Sequence, residues 1–304
     1  MMPLLDAWIR KLTAPAVPAA AFHLAPGYLG GVRCAPKTNS VKNSVLRTLP
    51  AGLVEPSFDK SNFPQPEALS SLLKESVRRL GTPEGPVALL LPETCVKTAL
   101  LDFEALPMAP AECEKIIRWR LAKSLPLSMT DVRLSYVVHR TAGRVKAFCV
   151  LAMESIVGEY EQVFGRAGLN IRMIGLPTVA LLGCLPKNGS SNCLIVNVEN
   201  EYFATLAVLE GEPALFRVKP LTPGMGWAEA AEETAITIRY LEDREKKRVD
   251  TVWLRPAAAG DVKTGTALIQ KSADCAVKIL PGDAPSGIAP EDKIPLAPLL
   301  GELS

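Results

Sequence analysis

The chain has 304 residues, 34 of them basic and 32 acidic, with 48% apolar side chains and a formal net charge of +2. That length and apolar content support a large core divided between two domains, and the near-neutral charge excludes a basic nucleic-acid-binding surface. Seven scattered cysteines without a CxxC pair, two histidines (His23 and His139) and no GxSxG elbow argue against a disulfide framework, a metal site and a serine-hydrolase triad.

No apolar run reaches the roughly 20 residues of a membrane span and no signal peptide is visible, so the expectation is a soluble cytoplasmic protein. Leu4, Leu5, Trp8, Ile9 and Leu12 recur at helical spacing before the proline-bearing link 14–18, which makes residues 1–18 an N-terminal helix and linker. Phe22, Leu24, Leu29 and Val32 alternate around Pro26-Gly27 and predict a hairpin. An amphipathic helix from Pro66 to Leu80 is stopped by Gly81, and the unbroken apolar run Val87 to Leu91 reads as a strand covered on both faces.

An inserted α+β unit follows, over about residues 93–143. It has a strand from Val96 to Phe103, a helix from Ala109 through Ile116, Ile117, Trp119 and Leu121, and a strand from Asp131 to Val138. Strand Arg144 to Met153, a helix capped by Ser155 and closed by Gly165 and Gly168, the segment Leu169 to Ile174 and a helix from Pro177 to Leu182 complete a first half, residues 19–186. Lys187 to Asn192 reads as a linker. The second half, residues 192–304, has strands Cys193 to Val198, Tyr202 to Leu209 and Ala214 to Val218, then a helix from Trp227 to about Arg244. Strand Thr251 to Leu254, a helix around Thr266 to Lys271 and strand Ala276 to Ile279 follow. Each half therefore runs three strands, helix, strand, helix, strand: an α/β duplication without a visible sequence repeat.

The strand end Leu91-Pro92-Glu93, the inserted unit after it and the helical stretch Thr237 to Asp243 (TIRYLED) resemble the PilM family of type IV pilus assembly proteins, over nearly the whole chain. The resemblance implies an actin-like fold of two ribonuclease-H-like halves, with the C-terminal segment packing back on the first. It implies a groove between the insertion and the first half that holds an extended peptide from the cytosolic N-terminus of a single-span inner-membrane protein, PilN. Leu100, Phe103, Ile117, Leu121, Leu125 and Leu134 would line that groove, with Arg118 and Arg120 meeting carboxylates of the peptide. The protein would be a cytoplasmic scaffold peripheral to the inner membrane, coupling membrane proteins to the pilus motor ATPase, with self-assembly left open. The cytoplasmic domain of a GspL-like type II secretion protein shares this fold; the absence of a membrane span argues against it.

Actin-like proteins cradle phosphate in two hairpins of Asp-x-Gly type, where glycine lets the backbone approach the anion. Here the first aspartate falls on His23 and its glycine on Ala25, Pro26 removes an N–H donor, and Gly27 completes the turn. The second aspartate falls on Asn197 and its glycine on Glu199, with Glu201 adding charge. A paired-glycine turn under adenosine is replaced by Arg255-Pro256-Ala257-Ala258-Ala259-Gly260. These degenerate loops predict a pseudo-ATPase with neither ATP nor magnesium. The alternatives are a divergent ATP-binding protein or ATPase, and a small-molecule kinase, which would need a carboxylate base at the phosphate. Gly27-Tyr28-Leu29-Gly30-Gly31 lacks GxGxxG spacing, and His139 reads as an exposed residue at a strand end.

Overall fold

The computed structural model describes residues 18–35, 40–83, 85–141, 143–186, 191–222, 226–257, 262–282 and 287–304. The helix expected over 4–12, most of the 187–192 linker and residues 258–260 of the degenerate adenosine turn lie outside them.

The first half opens with β1 (Ala20–Ala25), β2 (Tyr28–Cys34) and β3 (Val41–Thr48), an antiparallel meander, followed by α1 (Pro66–Leu80) and β4 (Val87–Leu90), which pairs parallel with β1. The insertion is β5 (Val96–Phe103), α2 (Pro110–Ser124), β6 (Val132–Thr141) and β7 (Arg144–Met153), the strands forming a separate sheet in the order β5-β7-β6. The chain returns through α3 (Glu154–Arg166) to β8 (Ile171–Gly175), giving a sheet β3-β2-β1-β4-β8, and then to the short α4 (Pro177–Ala180).

The second half repeats this order. β9 (Cys193–Val198), β10 (Tyr202–Leu209) and β11 (Glu212–Pro220) precede α5 (Gly226–Glu245), β12 (Thr251–Pro256), α6 (Val262–Ala273) and β13 (Ala276–Ile279), in a sheet β11-β10-β9-β12-β13. A last helix, α7 (Lys293–Glu302), leaves this half and packs on the first sheet.

Burial on both faces explains why the central strands are apolar throughout. Phe22 and Leu24 of β1 face Leu69, Leu73, Tyr160 and Phe164 of α1 and α3, while Ala21, Ala88 and Leu90 meet Leu296, Leu299 and Leu300 of α7. The insertion has its own core, Ile117 and Leu121 of α2 against Val145, Ala147, Cys149 and Leu151 of β7. Its opposite face rests on the second half, where the Phe148 and Phe216 rings lie 5.5 Å apart. His139 is therefore not exposed: its ring meets Glu212 of β11 at 2.9 Å.

Backbone meets backbone where α7 ends. A Cβ on Gly301 would stand 2.0 Å from the Ala180 carbonyl oxygen, and one on Gly183 would stand 2.2 Å from that of Gly301. Only glycine fits at either position, and the close approach fixes the last turn of α7 beside β8.

Several boundaries differ from those read in the sequence. Met153 rather than Ser155 precedes the first turn of α3, with no side-chain cap. The helix after Pro177 becomes a 3-10 turn at Leu181–Cys184. β12 runs past Leu254 to Pro256, because ladder pairing with β9 continues through Arg255 and Pro256. The helix α7 carries Pro295 and Pro298, which break the pattern that marks a helix in a sequence.

Candidate functional site

The strand ends of the two halves meet at the place where the degenerate hairpins converge. The turns nearly touch: a Cβ on Gly27, whose φ is +83°, would lie 3.9 Å from Asn200 Nδ2. Buried polar side chains fill the space between the strands. Arg255, fully buried at the end of β12, donates from Nη1 to Asn197 Oδ1 at 2.8 Å and to Glu199 Oε1, and from Nη2 to Tyr28 Oη at 2.8 Å and the Pro295 carbonyl at 2.8 Å. Its Nε donates to the Ile294 carbonyl at 2.9 Å. Burial opposes the guanidinium charge, but Glu199 and Tyr28 more than restore it, and the Arg255 pKa rises.

The network extends both ways. Tyr28 donates to Glu199 Oε1 at 3.0 Å, so the His23 Nδ1 at 3.1 Å must carry the proton it shares with Tyr28. That leaves His23 Nε2 as a bare lone pair with no partner among the described residues. Burial lowers the His23 pKa to about 4, against the pull of Glu199, so the ring is neutral. On the other side Asn197 donates to Thr178 Oγ1 at 3.1 Å. Thr178 donates from its N–H at 2.7 Å and its hydroxyl at 2.6 Å to Glu93, whose other oxygen accepts from Tyr202. Burial pushes the Glu93 carboxyl up against those bonds.

Four of the five loop residues singled out by sequence stand in or beside this plug: His23, Asn197 and Glu199 bond within it, and Gly27 forms the turn above. Ala25 is buried at the end of β1. The Glu199 carboxylate, which stands at the second glycine position, is answered by Arg255. Arg255, Glu93 and Tyr202 were not anticipated as partners. The weak signal for Arg255 was a charged residue continuing an apolar strand.

The second feature is open. A cavity of about 340 Å³ lies between the insertion and the first half. Phe148, Val150 and Ala152 of β7 line one side, and Ile171, Ile174 and Gly175 of β8 with Leu176 and Val179 line the other. Arg133 to Ser135 of β6, Glu161 of α3, Arg172 of β8 and Glu302 of α7 add to the lining and bring its polar part. β6 and β8 are each the edge of their sheet, so unpaired main-chain groups border an apolar channel. Arg133 is held by Glu154 at 3.0 Å and by Glu161 at 2.6 Å.

Of the six groove residues read from the sequence, Leu134 is in this lining. Ile117 and Leu121 are wholly buried in the insertion's core, with Phe103 and Leu125 packed around them, and Leu100 faces the second half. Arg118 bonds Glu114 at 2.7 Å and the Met129 carbonyl at 2.9 Å, while Arg120 is exposed on α2.

Two outcomes follow from this electrostatics. Arg255→Met leaves Glu199 as a buried, unpaired carboxylate and is expected to cost about 3–5 kcal/mol in urea unfolding. Adding Glu199→Gln should recover much of that, and a double variant no more stable than the single one would refute the pairing argument. Burial also lifts the Glu302 carboxyl from 4.5 to about 7. Between those values the folded state holds a proton that the unfolded chain has released, so this group lowers stability as pH rises through the window. Glu302→Gln is therefore expected to match the parent near pH 4 and to exceed it by about 2 kcal/mol near pH 8 in denaturant titrations.

No sequence-family model and no curated protein matches the chain. Among solved structures it is similar to a chain of the PilM-PilN type IV pilus biogenesis complex, with 15% identity and a TM-score of 0.79 over 95% of this chain and 97% of that one. It is similar at 11% identity and a TM-score of 0.52 to the cytoplasmic domain of EpsL, an inner membrane component of the type II secretion system of Vibrio cholerae, covering 93% of each chain. A protein of unknown function with an actin-like ATPase fold from Bacteroides thetaiotaomicron is similar at 11% identity and a TM-score of 0.52, over 87% of this chain and 91% of that one. The chain has the actin-like fold of these proteins.

Proposed function

We propose that this chain is a PilM-like, non-enzymatic scaffold of a type IV pilus assembly platform. Its groove takes the cytosolic N-terminal peptide of a PilN-like single-span membrane protein. The observation that carries the reading is the contrast between the two sites: the cleft where an actin-like protein holds nucleotide is filled by its own side chains, and the groove beside the insertion is open and apolar. An extended peptide suits a channel bordered by two sheet edges, because it can bond to either edge while its apolar side chains fill the cavity. The full-length likeness to a chain of the PilM-PilN complex supports the same reading.

Among the described residues no helix is long and apolar enough to cross a membrane, so the partner peptide would supply the attachment to the inner membrane. Coupling to the pilus motor ATPase would then use surfaces away from the groove. The likeness to the secretion-system domain supports the neighbouring role in type II secretion less strongly, at its lower TM-score.

Calorimetric titration of the whole chain with the PilN-like N-terminal peptide tests this proposal. Saturable binding is expected, with a loss of tenfold or more in Val150→Trp, which fills the groove from β7 without touching the insertion's core. A folded chain that does not bind the peptide would overturn it.

The pseudo-ATPase part has a separate test. A nucleotide at about a hundred times its Kd adds about 2.7 kcal/mol of stability by mass action. Millimolar magnesium-ATP is expected to leave the melting temperature unchanged, and a rise of several degrees would restore the ATP-binding alternative.

A further inference from the structure

Glu302 stands apart from every other titratable group around the groove. Its carboxylate lines the cavity beside Gly175, where a Cβ would lie 3.2 Å from Oε2, so the missing side chain leaves that oxygen approachable along β8. Among the described residues no donor hydrogen-bonds it and no cation pairs with it, and burial is the only influence on its charge. The nearby cation Arg133 is already divided between Glu154 and Glu161. Arg172, the other cation of the lining, is exposed on β8. Across these five side chains carboxylates outnumber cations, and the unmatched one is the half-buried Glu302.

A half-buried carboxylate without a donor is a cost to the free protein, and Gly183 and Gly301 hold α7 too tightly for it to swing out to water. A partner that brings a positive donor into the groove removes that cost on binding, whereas an uncharged partner buries the carboxylate further.

We propose that Glu302 is the specificity anchor of the groove, receiving the ammonium or guanidinium of a lysine or arginine in an extended partner peptide. The neighbouring apolar side chains of that peptide lie on Phe148, Val150 and Ile174. This assignment rests on the peptide-docking reading and deepens it: the groove selects a cationic residue set among apolar ones and discriminates against acidic or wholly apolar segments.

The test is a double-mutant cycle by titration calorimetry on the full chain. The parent and Glu302→Gln are each titrated with the PilN-like N-terminal peptide and with versions in which each lysine or arginine is replaced singly by glutamine. Glu302→Gln keeps the side-chain shape, and a thermal melt checks its fold. The native peptide is expected to lose roughly tenfold or more in affinity for Glu302→Gln. One glutamine-substituted peptide should bind both proteins equally weakly, which identifies the anchoring cation. Equal binding of the native peptide to both proteins, with binding still lost in Val150→Trp, would overturn the anchor and leave the docking reading standing. Absence of binding to the parent would overturn both.

Discussion

Everything in this molecule is arranged around one buried cation. Taking a guanidinium out of water costs several kcal/mol unless its charge and its donors are all answered. Arg255 has five N–H groups, and the structure shows five acceptors for them: Asn197, Glu199, Tyr28 and the carbonyls of Ile294 and Pro295. The Ile294 carbonyl is free to accept because its helical partner four residues on is Pro298, which has no N–H. A proline that would be a defect in an isolated helix thus leaves a vacancy that the arginine fills. These acceptors come from both hairpins and from α7, so one side chain ties the first half, the second half and the C-terminal helix together.

An actin-like cleft usually closes on a ligand that can leave. Here the closing group is covalently part of β12, and its partners form a continuous path from His23 through Tyr28, Glu199, Arg255, Asn197 and Thr178 to Glu93 and Tyr202. Buried polar networks are costly when incomplete and rigid when satisfied. In this one the unpartnered atom of note is His23 Nε2, an acceptor lone pair on a neutral ring, which is a smaller penalty than an orphaned N–H. Three of the phosphate-loop positions, His23, Asn197 and Glu199, carry a donor or acceptor of fitting length for this network.

Much of the fold was legible in the sequence because its signals were local. The apolar runs at Val87 and Cys193, the hairpin around Pro26-Gly27 and the amphipathic helix ending at Gly81 each mark one element, and the repeated order of elements marks the two halves. The expectation of degenerate phosphate loops is likewise local, since it rests on glycine and aspartate missing at single positions of the two hairpins. What filled the cleft was not. Arg255 looked like the first residue of a loop because a charge rarely continues a buried strand, and its partners lie 39 to 227 positions away. The six groove residues lie mostly outside the cavity lining for a related reason. Ile117 and Leu121 follow the period of an amphipathic helix, but that period reports only that one face is buried. It cannot distinguish the insertion's own core from a surface offered to a partner. The apolar wall of the cavity belongs to alternate residues of β7, Phe148 and Val150, whose neighbours Ala147 and Cys149 face α2.

The filled cleft and the open groove are joined by α7, ten residues and so about 15 Å long. Its first turn is bonded to Arg255, its middle carries the leucines that cover the first sheet, and its last turn is pressed against Ala180 and Gly183 with Glu302 beside β8. A helix held at one end only would let a desolvated carboxylate retreat toward water, because several kcal/mol favour that motion. Holding both ends keeps Glu302 beside β8, at a standing cost to the fold. The bonds that fix the first turn of α7 come from the Arg255 guanidinium. On the docking reading proposed above, a peptide would meet a preformed wall and would not have to order it.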